Sequence, residues 1–226
     1  MPFDDAIQGA RGFVGKQLDR AAAPKNSRRF VEAVQAARPH AKVAIGVGRR
    51  PLDGWINTDV TRALGVYLDM TKPWPVPPRS ISRVYAEHVI EHLPLPLARR
   101  AYRNCAAALE PGGRIRLATP DLERAARAYL DHSEVGRQHL AYYGPSERIT
   151  EHPVDLLRTL FAYDGHWAGY LYDFEALAEE LNDAGFVDVV RLDPGRSADP
   201  VFEGLEARTD GTFFHMQLIV EASTPR

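Results

Sequence analysis

The sequence predicts an α/β fold, a doubly wound and mostly parallel sheet with an antiparallel closing strand. The main observation is the segment 81–121, where a short apolar run, a helical pattern and a second apolar run follow one another. Pro111-Gly112-Gly113 ends the helical pattern, because glycine enters the left-handed conformation at a helix end easily. Strand, crossover helix and strand form a right-handed parallel unit. We expect functional groups where such strands end.

The remaining elements extend this unit on both sides. Two helices, at 4–21 and 26–38, are expected before the sheet, and a helix capped by Asp173 is expected after it. Short apolar runs predict three strands before the central unit and an antiparallel pair at the end of the chain. These strands are placed at 42–46, 55–60, 66–69, 187–192 and 213–222.

Composition fits one globular domain. The 226 residues can bury a full core, and the single cysteine, Cys105, cannot form an intrachain disulfide. No apolar run approaches the roughly 18 residues of a membrane span, and the N-terminus has no signal-peptide core. The sequence therefore predicts a cytoplasmic protein with no membrane partner.

Charge is unevenly distributed. Residues 1–50 contain ten Lys and Arg against four Asp and Glu, although the net charge of the whole chain is −2. A basic segment can meet nucleic acid or an acidic partner. Because few aromatic residues are interleaved with the basic ones, we interpret it as a solvated helix surface and do not expect nucleic acid as a partner.

Several motifs share the order and spacing of one known family. They are AIGVG at 44–48, GWINTD at 54–59, YLDM at 67–70, AEHVIEHL at 86–93, LEPGGRIRLATPDL at 109–122 and YDFEALAEELNDAGF at 172–186. Over residues 42–222 the chain resembles class I S-adenosylmethionine-dependent methyltransferases, particularly the small bacterial type grouped as methyltransferase type 11. The resemblance implies a Rossmann-like fold, S-adenosyl-L-methionine as cofactor and methyl transfer as activity.

The resemblance places the cofactor at the strand ends. Gly46 and Gly48 would let the backbone approach its methionine part, since no Cβ stands in the way. Asp59 would accept hydrogen bonds from the ribose hydroxyls. Asp69 would accept from the adenine amine, and Met70 would pack on the ring. Taken as residues alone, the two aspartates fit strand-end turn caps equally well.

The sequence departs from the family pattern after the first strand. A third glycine is missing, and Arg49-Arg50-Pro51 stands in its place. About a dozen residues separate Gly46 from Asp59, too few for a crossover helix, so residues 51–54 are expected to form a tight loop. This also argues against a nicotinamide dehydrogenase, whose pyrophosphate needs a helix N-terminus at this place.

The stretch HVIEH at 88–92 matches the H-x-x-E-H signature of inverted zinc peptidases. On a helix its histidines would bind Zn²⁺ and the glutamate would activate water. Here it follows a strand directly, and Pro94 ends any helix almost at once, so we expect no metal. In the methyltransferase interpretation Glu87 and His88 face the cofactor, while His92 is a structural hydrogen-bonding residue.

The segment 132–172 is expected to form a lid or substrate wall. It is rich in His, Tyr and Gly and has one clear helical patch, at 154–161. Asp164 would orient His166, which would accept a substrate proton. A surface turn with an incidental histidine is the alternative. The long connection 193–212 is expected to shape the same site.

Together these observations predict one methyltransferase domain over 1–226. Its parts are the N-terminal helices at 1–40, a cofactor-binding half at 41–131, the lid or wall at 132–172, and the last helix and closing strands at 173–226. The predicted reaction is direct methyl transfer to an O or N atom of a small molecule, which needs alignment more than acid–base help. His88 or His166 would remove the acceptor proton.

Two alternatives stay open. One is a catalytically silent protein with the methyltransferase fold that binds the cofactor or a partner, which the missing third glycine favours. The more remote one is an H-x-x-E-H zinc hydrolase. The sequence is compatible with a homodimer but does not determine the oligomeric state, the acceptor or the atom methylated.

Overall fold

The structure, a computed structural model, describes residues 23–61, 65–143, 152–162, 166–206 and 216–226. The predicted helix at 4–21 and the predicted catalytic residue Asp164 lie outside these ranges. No helix within them combines the length and the apolar character that crossing a membrane requires.

The described ranges contain a sheet of seven strands in the order β3-β2-β1-β4-β5-β7-β6. Strands β1 to β5 are parallel, and β7 pairs antiparallel with both β5 and β6. The prediction of a mostly parallel α/β sheet with an antiparallel closing strand is therefore confirmed. The bounds are Lys42–Ile45 (β1), Ile56–Asp59 (β2), Val66–Tyr67 (β3), Ile81–Glu87 (β4), Leu109–Pro120 (β5), Val187–Leu192 (β6) and Gln217–Ser223 (β7).

The strand order reverses between β1 and β4. The chain runs outward from β1 to β3 and then returns to the other side of β1 as β4. Loops leave the two neighbouring strands in opposite directions at this point, so a crevice opens at their carboxyl ends.

Six α-helices and two 3₁₀ helices accompany the sheet in the described ranges. Asp121 and Asp173 cap two of them, accepting hydrogen bonds from the backbone N–H groups of Arg124 and Ala176. The helices are Ala23–Ala36 (α1), Leu95–Ala108 (α2), Leu122–Leu130 (α3), Glu134–Tyr143 (α4), Asp155–Ala162 (α5) and Phe174–Asp183 (α6), with 3₁₀ helices at Ile90–His92 and His166–Ala168.

The two faces of the sheet are covered differently. On one face, α1, α2 and α6 contribute Phe30, Tyr102 and Leu177 to the main apolar core. On the other, the fully buried Arg116 of β5 pairs with Glu206 at 2.6 Å and with Glu221 at 2.5 Å. Glu206 belongs to the connection 193–206, which covers this part of the sheet in place of a helix.

The segment 132–172 is more helical than the sequence predicts. Besides the expected patch, here α5, it contains α4. Helices α3, α4 and α5 pack together around a second, smaller apolar cluster that includes Ala125, Leu156 and Leu160. A Cβ at Gly136 of α4 would lie 3.0 Å from the Leu156 side chain. A glycine in a weakly apolar helix hides the helical pattern, yet it allows this close packing.

Candidate active site

A cavity of about 600 Å³ opens at the carboxyl ends of β1 to β4, at the point where the strand order reverses. We call it the cleft. Its walls come from the loops that follow these four strands and from the start of α2. The residues that line it include Gly46, Asp59, Asp69, Met70, His88 and His92.

Gly46 and Gly48 form the turn after β1, with φ angles of +66° and +54°. A Cβ at Gly46 would lie 2.4 Å from a methyl group of Val89, so the loop after β4 packs directly on this turn. The N–H of Gly48 donates to Asp59 Oδ2 at 3.2 Å. The structure thus joins the glycine turn and the carboxylate of the next strand into one unit.

Asp59 and Asp69 both hold their own loops. Asp59 Oδ1 accepts from the N–H of Thr61 at 2.8 Å, and Asp69 Oδ1 accepts from the N–H and the hydroxyl of Thr71. These contacts are the turn-capping role that the residues alone allow. They do not exclude a ligand, because a carboxylate has about four acceptor positions. Met70 is buried beside them, and the cofactor roles of these residues stay predictions.

His88 lies where the chain leaves β4, with a φ of +53° that is uncommon outside glycine. Its Nδ1 is 2.8 Å from Glu91 Oε1. Its Nε2 is buried and has no hydrogen-bond partner among the described residues. Since a carboxylate only accepts, Nδ1 carries the proton in this contact, and a neutral ring then has its lone pair at Nε2.

Glu91 has no exposed surface. Burial by itself raises the pKa of its carboxyl group, but the hydrogen bond from His88, together with further hydrogen-bond and charge contributions around the carboxylate, outweighs burial, and the pKa lies below its usual value. The hydroxyl of Thr119, at the end of β5, donates to the second oxygen at 3.1 Å. The sequence identifies Glu91 only within the peptidase-like motif and misses its contact with His88.

His166 is buried against Glu91. Its Nδ1 lies 2.6 Å from the carbonyl oxygen of Leu160, and its Nε2 lies 3.9 Å from Glu91 Oε1. A Cβ at Gly169 would lie only 1.7 Å from the Glu91 carbonyl oxygen, so glycine is needed for this approach. The predicted pairing of His166 with Asp164 falls outside the described residues.

Glu87, the last residue of β4, is not among the residues that line the cleft. It hydrogen-bonds Tyr85, whose pKa is raised by burial and then by the charges of Glu87 and Glu206. Of the connection 193–206, Phe202 stacks on Trp55 with ring centroids 6.1 Å apart. The described part of this connection therefore covers the sheet, whereas the sequence suggests a substrate wall.

Comparison with known proteins identifies the fold. No known family profile matches the sequence, and no curated protein matches it. Among solved structures, the citrinin polyketide synthase CMeT domain matches 84% of the chain at a TM-score of 0.50 and 14% identity. The chain has a class I methyltransferase fold. The CurJ carbon methyltransferase matches 89% of the chain at a TM-score of 0.47 and 14% identity. An S-adenosylmethionine-dependent methyltransferase from Thermotoga maritima matches 97% of the chain at a TM-score of 0.49 and 18% identity.

The share of each matched structure that this chain covers differs among the three. The chain spans about half the length of the first two, 48% and 54%, and 96% of the Thermotoga protein. At such low identity the comparison defines the methyltransferase fold, and the activity has to be argued from the cleft.

Proposed function

We propose that this protein is an S-adenosylmethionine-dependent methyltransferase that acts on an oxygen or nitrogen atom of a small molecule. The observation that carries the proposal is the cleft itself, which brings the Gly46–Gly48 turn, Asp59, Asp69 and His88 to one edge of the sheet. Its volume is within the range of small-molecule sites.

The charge of the cleft favours this cofactor over a dinucleotide. Its described lining contains the carboxylates of Asp59 and Asp69 and no Lys or Arg. Such a lining attracts a sulfonium cation and offers nothing to a pyrophosphate. The chain from β1 to β2 also forms no helix whose N-terminus could bind phosphate.

The residues have separate tasks in the proposed reaction. Asp59 would accept from the ribose hydroxyls, Asp69 would accept from the adenine amine, and Met70 would pack on the ring, while the glycine turn would leave space for the methionine part. The cofactor supplies an electrophilic methyl group on sulfur. His88 would take the proton of the acceptor, and Glu91 would hold the imidazole in the required tautomer.

The test of cofactor identity is calorimetry with S-adenosylhomocysteine and with NAD. We expect saturable binding of S-adenosylhomocysteine and none of NAD, and the reverse preference would exclude the methyltransferase proposal. Asp59→Asn should weaken binding by about 1–3 kcal/mol, because the charged hydrogen-bond partner of the ribose is lost.

The matched control is Asp53→Asn, because Asp53 is an exposed aspartate of the loop between β1 and β2. This variant should bind S-adenosylhomocysteine with the affinity of the wild type. Asp69→Asn provides a second probe, should the Asp59 substitution disturb the glycine turn. Unchanged affinity in both folded cleft variants would place the cofactor elsewhere. Binding without transfer to any tested acceptor would favour the catalytically silent alternative.

A further inference from the structure

Three potential metal ligands converge beside the cleft from two distant parts of the chain. Glu91 and His92 belong to the 3₁₀ helix after β4, and His166 begins the 3₁₀ helix after α5. Ligand atoms of the three side chains all lie within 4.8 Å of one another. The ring centroids of His92 and His166 are 4.8 Å apart. We call these three residues the His–Glu cluster.

The tautomer of His166 is fixed by its other nitrogen. A carbonyl oxygen only accepts, so the 2.6 Å contact with Leu160 O places a proton on Nδ1. In the neutral ring the lone pair of Nε2 then faces Glu91 Oε1, 3.9 Å away. Two acceptors facing each other at this distance make no hydrogen bond. Two bonds of about 2.0–2.2 Å to one metal ion can span the gap.

The cluster also has the supporting contacts of a metal site. Metal-binding histidines usually donate their second N–H to a carbonyl or carboxylate group, as His166 does to Leu160. Ligating carboxylates are held by further hydrogen bonds, as Glu91 is by Thr119 and His88. Glu91 itself has no exposed surface, so its position is fixed by these contacts.

We propose that Glu91, His92 and His166 bind a divalent transition metal ion, with Zn²⁺ favoured by the two imidazoles and one carboxylate. Because His92 is exposed and lines the cleft, the ion can enter from there. The ion fastens the segment that begins at His166 to the end of β4. The site differs from the zinc-peptidase motif, since His88 bonds Glu91 and is no ligand.

The sequence could not reveal this site. It predicts no metal because the HVIEH stretch has no helix to present its two histidines together, and the structure agrees that only a 3₁₀ helix follows β4. The third ligand comes from a position 75 residues beyond Glu91. Only the folded chain brings it there.

The test uses full-length protein without a histidine tag, freed of metal with a chelator. Zn²⁺ is titrated by calorimetry, and Co²⁺ is added as a spectroscopic probe, since nearly tetrahedral Co²⁺ absorbs strongly in the visible range. We expect one ion per chain, intense Co²⁺ absorption, and a higher melting temperature with Zn²⁺, because an ion that binds only the folded state stabilises it.

Three variants and a control decide the assignment. His166→Ala, Glu91→Gln and His92→Ala should each weaken Zn²⁺ binding at least tenfold and abolish the Co²⁺ bands. The control, His40→Ala, changes an exposed histidine outside the His–Glu cluster and should bind Zn²⁺ with the affinity of the wild type. His92 is exposed, so its variant should fold even if the two buried substitutions do not.

Absence of saturable binding to the wild type, or wild-type affinity in His92→Ala, would overturn the metal site. Calorimetry with S-adenosylhomocysteine on the same preparations separates this result from the proposed function. Metal binding that depends on the cluster, without cofactor binding, would leave the site intact and remove the methyltransferase proposal.

Discussion

His88 combines an uncommon backbone conformation with an imidazole that Glu91 holds beside the cleft. A non-glycine residue with φ near +53° is tolerated only where the surrounding structure holds it, and such residues are concentrated at functional sites. Here the following residue, Val89, packs on the Gly46 turn, and Glu91 holds the ring. The conformation thus brings His88 into the lining of the cleft.

We expect His88→Asn to lower the rate of methyl transfer by about 10²–10⁴-fold, the usual contribution of a general base. Asparagine tolerates the left-handed backbone, so the substitution removes the imidazole without adding strain. The affinity for S-adenosylhomocysteine should change little, because the proposed cofactor contacts lie at the other strand ends. Single-turnover kinetics and calorimetry measure the two quantities.

The matched control for this experiment is His132→Asn. His132 is also left-handed, with φ of +47°, but it is exposed and lies after α3. Its variant should transfer methyl at the wild-type rate. A His88→Asn protein that is equally fast would exclude His88 as the base and direct attention to residues of the segment 132–172.

At the scale of elements, local chemistry made much of the fold predictable. The cap residues Asp121 and Asp173 mark the starts of α3 and α6, and the apolar runs locate the strands within a few residues. The cleft residues at the ends of β1, β2 and β4 follow from the same logic, since parallel strands bring their carboxyl ends to one edge.

The parts of the fold and of the candidate site that the sequence does not predict depend on contacts between residues distant in the chain. The sequence does not indicate helix α4, because this helix contains Gly136 and few apolar side chains and is stabilised by tertiary packing with α5. The meeting of His166 with Glu91 was missed because nothing local to either residue encodes it. It rests on the close approach of Gly169 to the Glu91 backbone.

The contact between the two 3₁₀ helices can be tested at Gly169. A Cβ there would overlap the Glu91 carbonyl oxygen, a backbone atom that cannot rotate away as a side chain can. Gly169→Ala should therefore force the elements apart and reduce the free energy of unfolding by about 1–3 kcal/mol, the usual cost of overpacking. Urea denaturation measures this loss of stability, as a lower midpoint concentration of urea with an unchanged dependence of the unfolding free energy on urea concentration.

Trp167→Ala serves as the control for this prediction. Trp167 lies in the same 3₁₀ helix but is 81% exposed, so its truncation should change stability by less than about 0.5 kcal/mol. Equal midpoints for the Gly169 variant and the wild type would mean that the two 3₁₀ helices do not pack as closely as described.

At the scale of the whole molecule, the described residues contain two apolar clusters of unequal size. The larger one joins α1, α2 and α6 to the sheet, and the smaller one joins α3, α4 and α5 with Met216. The helices of the smaller cluster belong largely to the segment 132–172, which meets the 3₁₀ helix after β4 at His166 and Gly169. A region with fewer buried apolar contacts opens more readily than the central core.

We therefore expect hydrogen exchange to be faster in α4 and α5 than in β4 and β5. If these helices enclose the acceptor, S-adenosylhomocysteine together with an acceptor should slow hydrogen exchange in α4 and α5. The reason is that lids become ordered when ligands bind. Leu156→Ala should speed exchange in α4 and α5 and leave the sheet nearly unchanged. Leu177→Ala should speed exchange in both regions, because Leu177 lies in the main core and such truncations cost about 2–5 kcal/mol.

The comparison of these two variants distinguishes local from global opening. Both leucines are almost fully buried, at 2% and 0% exposure, so the chemical change is the same and only the cluster differs. If Leu156→Ala accelerates β4 and β5 as much as Leu177→Ala does, the helices and the sheet unfold as one unit. In that case the segment 132–172 does not act as a lid, and acceptor access has to come from another part of the cleft rim.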